Sequence, residues 1–371
     1  MKKIVLPLIF VVACTSFVTY SFLDTFVIVK NAKKITFASS YDIPLGPITP
    51  SSSSISSSSI QKSDNGSSIF SSSSNPTSSL QQDSQYYEDL TYDQIMALYT
   101  PNKEFIERKH YSDPDIYIDI TTHRDEEDTT TYYAADIRIK NLGYFNTALA
   151  NDTFGQNIKQ RTSDICKRKK GILAINGDTY GSQEGGYVIR NGNLKAGEYR
   201  SSKNLSRKKA EDLIVKKDGT FEIINEKDVS FEQVLDKNPL HVFSFGPALV
   251  NKNEVTVTPK EEVNTALGNN RNQRCAIGIV SPGHYYFVVS DGRNNDSHGL
   301  SLYTLANIMK DLHCETAYNL DGGDSATMYL DNGTGNADGL GHLINVPGQL
   351  QGDPSVKQRE VSDIVYIGKE Q

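Results

Sequence analysis

The stretch Tyr318-Asn319-Leu320-Asp321-Gly322-Gly323-Asp324-Ser325-Ala326-Thr327-Met328-Tyr329-Leu330 constrains the fold more than any other in the chain. It reads as a short buried strand, a sharp turn and a second strand. Two carboxylates, two glycines and two hydroxyls fall within seven residues at the turn. Glycine pairs admit positive φ and let a ligand approach bare backbone. Successive N–H groups in such a turn form an anion-binding nest. Asp321 follows an apolar strand, so a rigid element aims it. Taken alone, the turn is also explained by Asp321 and Ser325 bonding their own backbone. Similar constellations upstream argue for more.

Ile172-Leu173-Ala174-Ile175 is continuously apolar, as a strand buried on both faces is, and it ends in Asn176-Gly177-Asp178. Two further strands, from Cys275 to Val280 and from Tyr285 to Ser290, join at Pro282-Gly283, and the second ends in Asp291-Gly292-Arg293. Leu302, Leu305, Ala306, Met309 and Leu312 make an apolar stripe at helical spacing, with Ser301 as its N-cap. Strand, helix, strand in that order implies a crossover between two parallel strands. Asp291 and Asp321 then leave the sheet at one edge, where α/β proteins place ligands. Ile116, Ile118 and Ile120 alternate with polar residues, and Tyr132 to Ile139 does likewise, as in half-buried strands. Tyr187 to Leu194 and Leu213 to Asn225 read as hairpins, Ile158 to Cys166 and Phe231 to Leu235 as helices, and Val361 to Ile367 as a last strand. The expected class is α/β, mixed α+β, with a central mixed sheet and crossover helices.

The ends of the chain differ in kind. Residues 4–29 are almost wholly apolar between Lys2-Lys3 and Lys30. A bilayer-crossing helix needs about 20 residues, so residues 1–34 are expected to be an uncleaved membrane anchor. A cleaved signal peptide over residues 1–13, or a lipoprotein-type site at Val11-Val12-Ala13-Cys14, competes with it. Both leave the apolar run from Phe17 to Val29 unexplained. Residues 35–85 are dominated by serine and too poor in apolar side chains to offset chain entropy, the pattern of a disordered spacer. Residues 86–114 read as a helical neck, and 115–371 as the working domain. That layout puts the domain outside the cytoplasm at the cell membrane. A net charge of −7 and a pI near 5.6 argue against a nucleic-acid partner. Cys166, Cys275 and Cys314 fit no zinc spacing and allow at most one disulfide.

Ala174-Ile175-Asn176-Gly177-Asp178, Asp291-Gly292-Arg293, the helix from Gly299 to Met309 and the run from Asn319 to Thr327 together resemble the phosphodiester glycosidase family. The resemblance runs from about Ile116 to Ile367, and Asn319-Leu320-Asp321-Gly322-Gly323 is its most specific part. It implies hydrolysis of the bond between a sugar's anomeric carbon and a phosphodiester, with a carbohydrate phosphodiester as partner. Asp324 departs from the many relatives that carry a third glycine there.

Such a reaction must hold an anionic substrate, stabilise an oxocarbenium-like transition state and release phosphate. Carboxylates supply base or nucleophile, which makes Asp291 and Asp321 the leading catalytic candidates, followed by Asp178 and Glu184. Arginine forks suit phosphate oxygens. Arg274 and Arg293 are the first binding candidates, with Arg190 and Arg359 behind them. Gly322 and Gly323 offer backbone donors, Ser325 a hydroxyl, and Asn176 a hydrogen-bonding brace. No cofactor is expected. The alternatives are Mg²⁺- or Ca²⁺-assisted phosphodiester cleavage on clustered aspartates, and a non-catalytic glycan binder. The absence of Trp counts against the binder.

Overall fold

The computed structural model describes Thr15, Thr19, 29–34 and 109–369, apart from Asn193, 195–196, Lys208, 260–270, Asn295, 334–340 and 347–357. The chain divides into two units, Met1–Gly46 with Arg108–Gln371, and Pro47–Glu107; every described residue belongs to the first. The serine-rich spacer and most of the expected neck lie outside the described residues.

Among the described residues the largest sheet has eight strands, in the order Glu254–Val255, Ala248–Asn251, Thr316–Asn319, Cys275–Ser281, His284–Ser290, Thr130–Ile139, Ile116–Asp125 and Lys109–Ser112. A five-stranded sheet has the order His342–Leu343, Met328–Leu330, Leu173–Asn176, Asp363–Ile367 and Phe145–Leu149. A second runs Tyr199–Arg200, Val188–Ile189, Pro239–Phe243, Glu211–Lys216 and Phe221–Asn225.

Alternation along the strands builds the layers, because successive side chains point to opposite faces. Ile277, Val289, Ile137 and Ile118 point from the large sheet into one core, where they meet Leu173, Ile175, Val365 and Phe243 from the smaller sheets. Ala276, Val288, Ala134 and Ala317 point the other way, against the Leu302–Asp311 helix. That helix buries Leu302, Leu305, Ala306, Ile308 and Met309, and the Ser301 hydroxyl accepts from the Thr304 N–H at 2.9 Å. Full burial is worth about 1.5–3 kcal/mol for each large side chain. On the outer face of the first five-stranded sheet, Ala174, Ile364 and Tyr366 carry Ile165 and Cys166 of the Thr162–Arg168 helix.

These findings correct several expectations. The protein is mainly β rather than α/β: among the described residues of 109–369 the α-helices are the three short ones at Thr162–Arg168, Phe231–Leu235 and Leu302–Asp311. The paired strands of all three sheets are antiparallel. His284–Ser290 and Thr316–Asn319 do run in the same direction, but Cys275–Ser281 lies between them, antiparallel to both. The helical connection therefore skips one strand, and Asp291 and Asp321 still leave at the same edge. Lys109–Ser112, at the end of the expected neck, is an edge strand on Ile116–Asp125. The three described cysteines are free and buried.

Among the described residues no helix is long and apolar enough to cross a membrane. That overturns the expected single-pass anchor and the membrane location drawn from it. Most of residues 4–29 lie outside the described residues. Lys30–Lys34, at the end of that segment, forms a strand antiparallel to Thr153–Gln156.

Candidate active site

Three strands deliver the sequence's carboxylates. Leu173–Asn176 ends in Asp178, Thr316–Asn319 in Asp321 and His284–Ser290 in Asp291. The first two ends are stitched together through backbone. Asn176 Nδ2 donates to the Asp321 carbonyl at 2.7 Å, and its Oδ1 accepts from the Thr327 N–H at 3.1 Å. The Asp321 N–H donates to the Gly177 carbonyl at 3.3 Å. Asn176 is fully buried.

Behind this junction lies an ion cluster. Asp178, Arg190 and Asp363 are all 0% exposed. Arg190 Nη2 donates to Asp178 Oδ1 at 2.5 Å and lies 2.8 Å from Asp363 Oδ2, which also accepts from Arg190 Nε at 2.9 Å. Arg190 Nη1 donates to the Val242 and Ile189 carbonyls at 2.5 and 3.3 Å. The guanidinium is spent on the protein, so the expected substrate role for Arg190 is corrected to that of a buried bridge. Asp178 also accepts from the Ser244 and Tyr180 N–H groups at 2.7 and 3.2 Å. Burial, opposed by Arg190 and reinforced by Asp178 and Asp321, raises the pKa of Asp363.

Gly177 makes room for this cluster: a Cβ there would sit 2.3 Å from Asp363 Oδ1 and 2.5 Å from its Cγ. Gly177→Ala must push a buried carboxyl out of its bonds. Overpacking of this kind costs about 1–3 kcal/mol, and a lowered urea midpoint at unchanged slope would show it; an unshifted midpoint contradicts it.

Asp321 differs from Asp178 and Asp363 in being only partly buried. Burial raises its carboxyl to about 6, against the Ser325 hydroxyl bond, the Arg359 charge and the Gly322 N–H; the Asp178 charge adds to the rise. Ser325 is buried, whereas Arg359 is exposed beside the carboxylate it attracts. Gly323, at φ +60°, turns the chain in the left-handed region and lies under Arg293, whose Nη2 would be 3.3 Å from a Cβ there. A Cβ on Gly322 would meet the Gln273 carbonyl at 2.5 Å. Arg293 Nη2 pairs with Asp324 Oδ1 at 2.6 Å, and Nε donates to Gln273 Oε1 at 2.7 Å. The Asp-Gly-Arg loop is thereby clamped onto the Asp-Gly-Gly-Asp turn.

Asp291 is 6% exposed and tied down on both oxygens. Oδ1 accepts from the Val346 N–H at 2.7 Å and Oδ2 from the Tyr133 hydroxyl at 3.2 Å. Burial raises its pKa, opposed by these two bonds and the Lys109 charge. The Lys109 ammonium lies 4.5 Å from the centre of the Tyr133 ring. Two candidates stand apart. Arg274 shares its strand face with Ala276, which packs on the Leu302–Asp311 helix, and its Nε donates to the Leu300 carbonyl at 3.0 Å. Strand alternation sends it away from the core that Cys275 faces. Glu184 is exposed on the loop after Asp178, outside the buried cluster.

Sequence reasoning missed Asp363, Tyr133, Lys109 and Arg200. Arg200 holds the 180–186 loop by donating to the Tyr180, Gln183, Gly185 and Gly186 carbonyls at 2.9, 2.6, 2.7 and 2.8 Å. An acidic residue inside the apolar run Val361-Ser362-Asp363-Ile364-Val365 was the one available signal, since buried charges need partners. Among the described residues no group of three or more His, Cys, Asp or Glu side chains is arranged to hold a metal ion.

A family model described as phosphodiester glycosidase matches residues 169–368. The SPbeta prophage-derived uncharacterized protein YomE of Bacillus subtilis (strain 168) is 27% identical over 177 residues, 47% of this chain and 26% of that protein. The chain thus spans about a quarter of that relative's length. Among solved structures, the zebrafish N-acetylglucosamine-1-phosphodiester alpha-N-acetylglucosaminidase catalytic domain, auto-inhibited by its pro-peptide, aligns with a TM-score of 0.52 at 21% identity, over 70% of this chain and 85% of that one. That likeness is one of fold. A hypothetical protein from Synechocystis aligns at 0.45 and 16% identity, over 68% of this chain and 62% of that one.

Proposed function

The chain belongs to the phosphodiester glycosidase family, and on that premise we propose that it hydrolyses the bond between the anomeric carbon of a sugar and a phosphodiester oxygen. The observation that carries this reading is Asp321: a partly buried residue whose carboxyl burial raises to about 6, on a glycine turn, with Arg359 beside it and a buried ion cluster behind. Near neutral pH Asp321 is ionised and supplies the base or nucleophile at the anomeric carbon. Arg359 attracts the phosphodiester anion, whereas the Gly322 N–H serves the Asp321 carboxyl and the Gly323 N–H donates to the Gln273 carbonyl at 2.9 Å. Arg293, clamped by Asp324 and Gln273, holds the turn in shape. The leaving group is already a stabilised anion, so this chemistry asks less of an acid catalyst than ordinary glycoside cleavage does. Asp178 and Asp291, tied to Arg190, Ser244, Val346 and Tyr133, act by positioning.

The products test the proposal. Breaking the anomeric C–O bond gives a free reducing sugar and a phosphomonoester. N-acetylglucosamine-1-phosphodiester, the substrate in the zebrafish enzyme's name, is the first to try. Release of sugar 1-phosphate instead would assign phosphodiesterase chemistry and sink the reading. A parallel assay with EDTA tests the metal-assisted alternative.

A further inference from the structure

The two buried carboxylates on Arg190 are not equivalent. Asp178 receives three N–H donors over its two oxygens, from Arg190, Tyr180 and Ser244. On Asp363, Oδ2 takes both Arg190 bonds, and Oδ1 is buried with no partner. One guanidinium balances one carboxylate. A buried anionic oxygen with no donor costs several kcal/mol, whereas a carboxylic acid with its proton there does not carry that charge. The titratable groups that interact with Asp363 include Arg190 from the Val188–Ile189 strand end, Asp178 after Leu173–Asn176, Tyr180 beyond it, and Asp321 on the glycine turn, and the Arg200 guanidinium interacts in turn with Asp178 and Arg190. Asp178 and Asp321 are carboxyls, and neither can relieve a charge on Asp363.

We propose that Asp363 is held near neutral pH as a neutral acid protonated on Oδ1, which leaves the Asp178–Arg190–Asp363 unit uncharged beside Asp321. Asp363 is then a positioning residue for Asp321, and its importance for turnover rests on the hydrolase reading above. When Asp363 loses its proton, the site gains a full negative charge that opposes ionised Asp321 and repels an anionic substrate. Burial and the neighbouring carboxylate charges push the Asp363 pKa in the required direction.

The test has a readout that needs no substrate. The infrared spectrum of the wild-type protein near neutral pH should contain a protonated-carboxyl C=O band that Asp363→Asn removes. Any protonated-carboxyl band from Asp212, whose pKa burial raises against the Arg207 charge, stays in that variant. Asp178→Asn makes Asp363 the counterion of Arg190, so the Asp363 band should vanish in that variant also; this arm serves if Asp363→Asn does not fold. In the activity profile, wild type should decline on the alkaline side, and Asp363→Asn should move that decline up by at least about one pH unit. A wild-type spectrum that Asp363→Asn leaves unchanged, or an Asp363 band that survives Asp178→Asn, overturns the proposal even if the protein is a glycosidase. If the substrate reading fails instead, the infrared result still stands.

Discussion

Asp321→Asn should give a folded protein that releases sugar roughly a thousandfold more slowly than wild type. The substitution keeps shape and volume and removes only the ionisable oxygen. The backbone bonds that fix the turn, from Asn176 Nδ2 to the Asp321 carbonyl and from its N–H to Gly177, are untouched. In wild type, activity should rise as pH passes through about 6, where Asp321 loses its proton. The sign for stability is opposite. A carboxyl raised on folding binds its proton more tightly in the native state, so its contribution is full below the unfolded value, roughly 4, and lost as pH rises through about 6. Asp321→Asn should therefore be at least as stable as wild type at pH 8. A variant with a rate within tenfold of wild type would remove Asp321 from the chemistry.

Arg190→Met should be the most damaging single change to the fold. It leaves Asp178 and Asp363 buried without their shared cation, and takes one donor from each of two backbone carbonyls. Breaking a buried ion pair by removing one partner costs about 3–5 kcal/mol. Arg190→Lys should rescue little, because one ammonium cannot reproduce the fork that reaches four acceptors on four strands or strand ends. Part of the loss should return at acidic pH, where protonation removes the unpaired charge. Denaturant titration at pH 5 and pH 8 reads both effects, and a midpoint that Arg190→Met leaves in place would show that the cluster contributes no stability.

Much of this was legible along the chain because it is local. Leu302, Leu305, Ala306 and Met309 declare a helix by spacing alone, and the helix found spans Leu302–Asp311 with the expected Ser301 cap. The turn at Pro282-Gly283 joins its two strands in the expected place. The wide antiparallel sheet was not legible. Its ladder alternates neighbours far apart in sequence, such as Ala248 beside Tyr318, and hydrogen bonding between backbones leaves no residue signature. Arg190 illustrates the same limit at the site. Its charge suggested a surface fork for phosphate, yet the fold buries it between Asp178 and Asp363, 173 residues away from the latter.

The sequence by itself determined which residues lie at strand ends, because apolar runs stop where a carboxylate and a glycine begin: Asp178, Asp291 and Asp321 each follow such a run. Only the tertiary structure decided which of those carboxylates meets solvent and which is locked to a guanidinium. Burial, and the partner that makes a buried charge tolerable, depend on strands brought together across the whole chain, and neither can be read from a residue's neighbours in sequence.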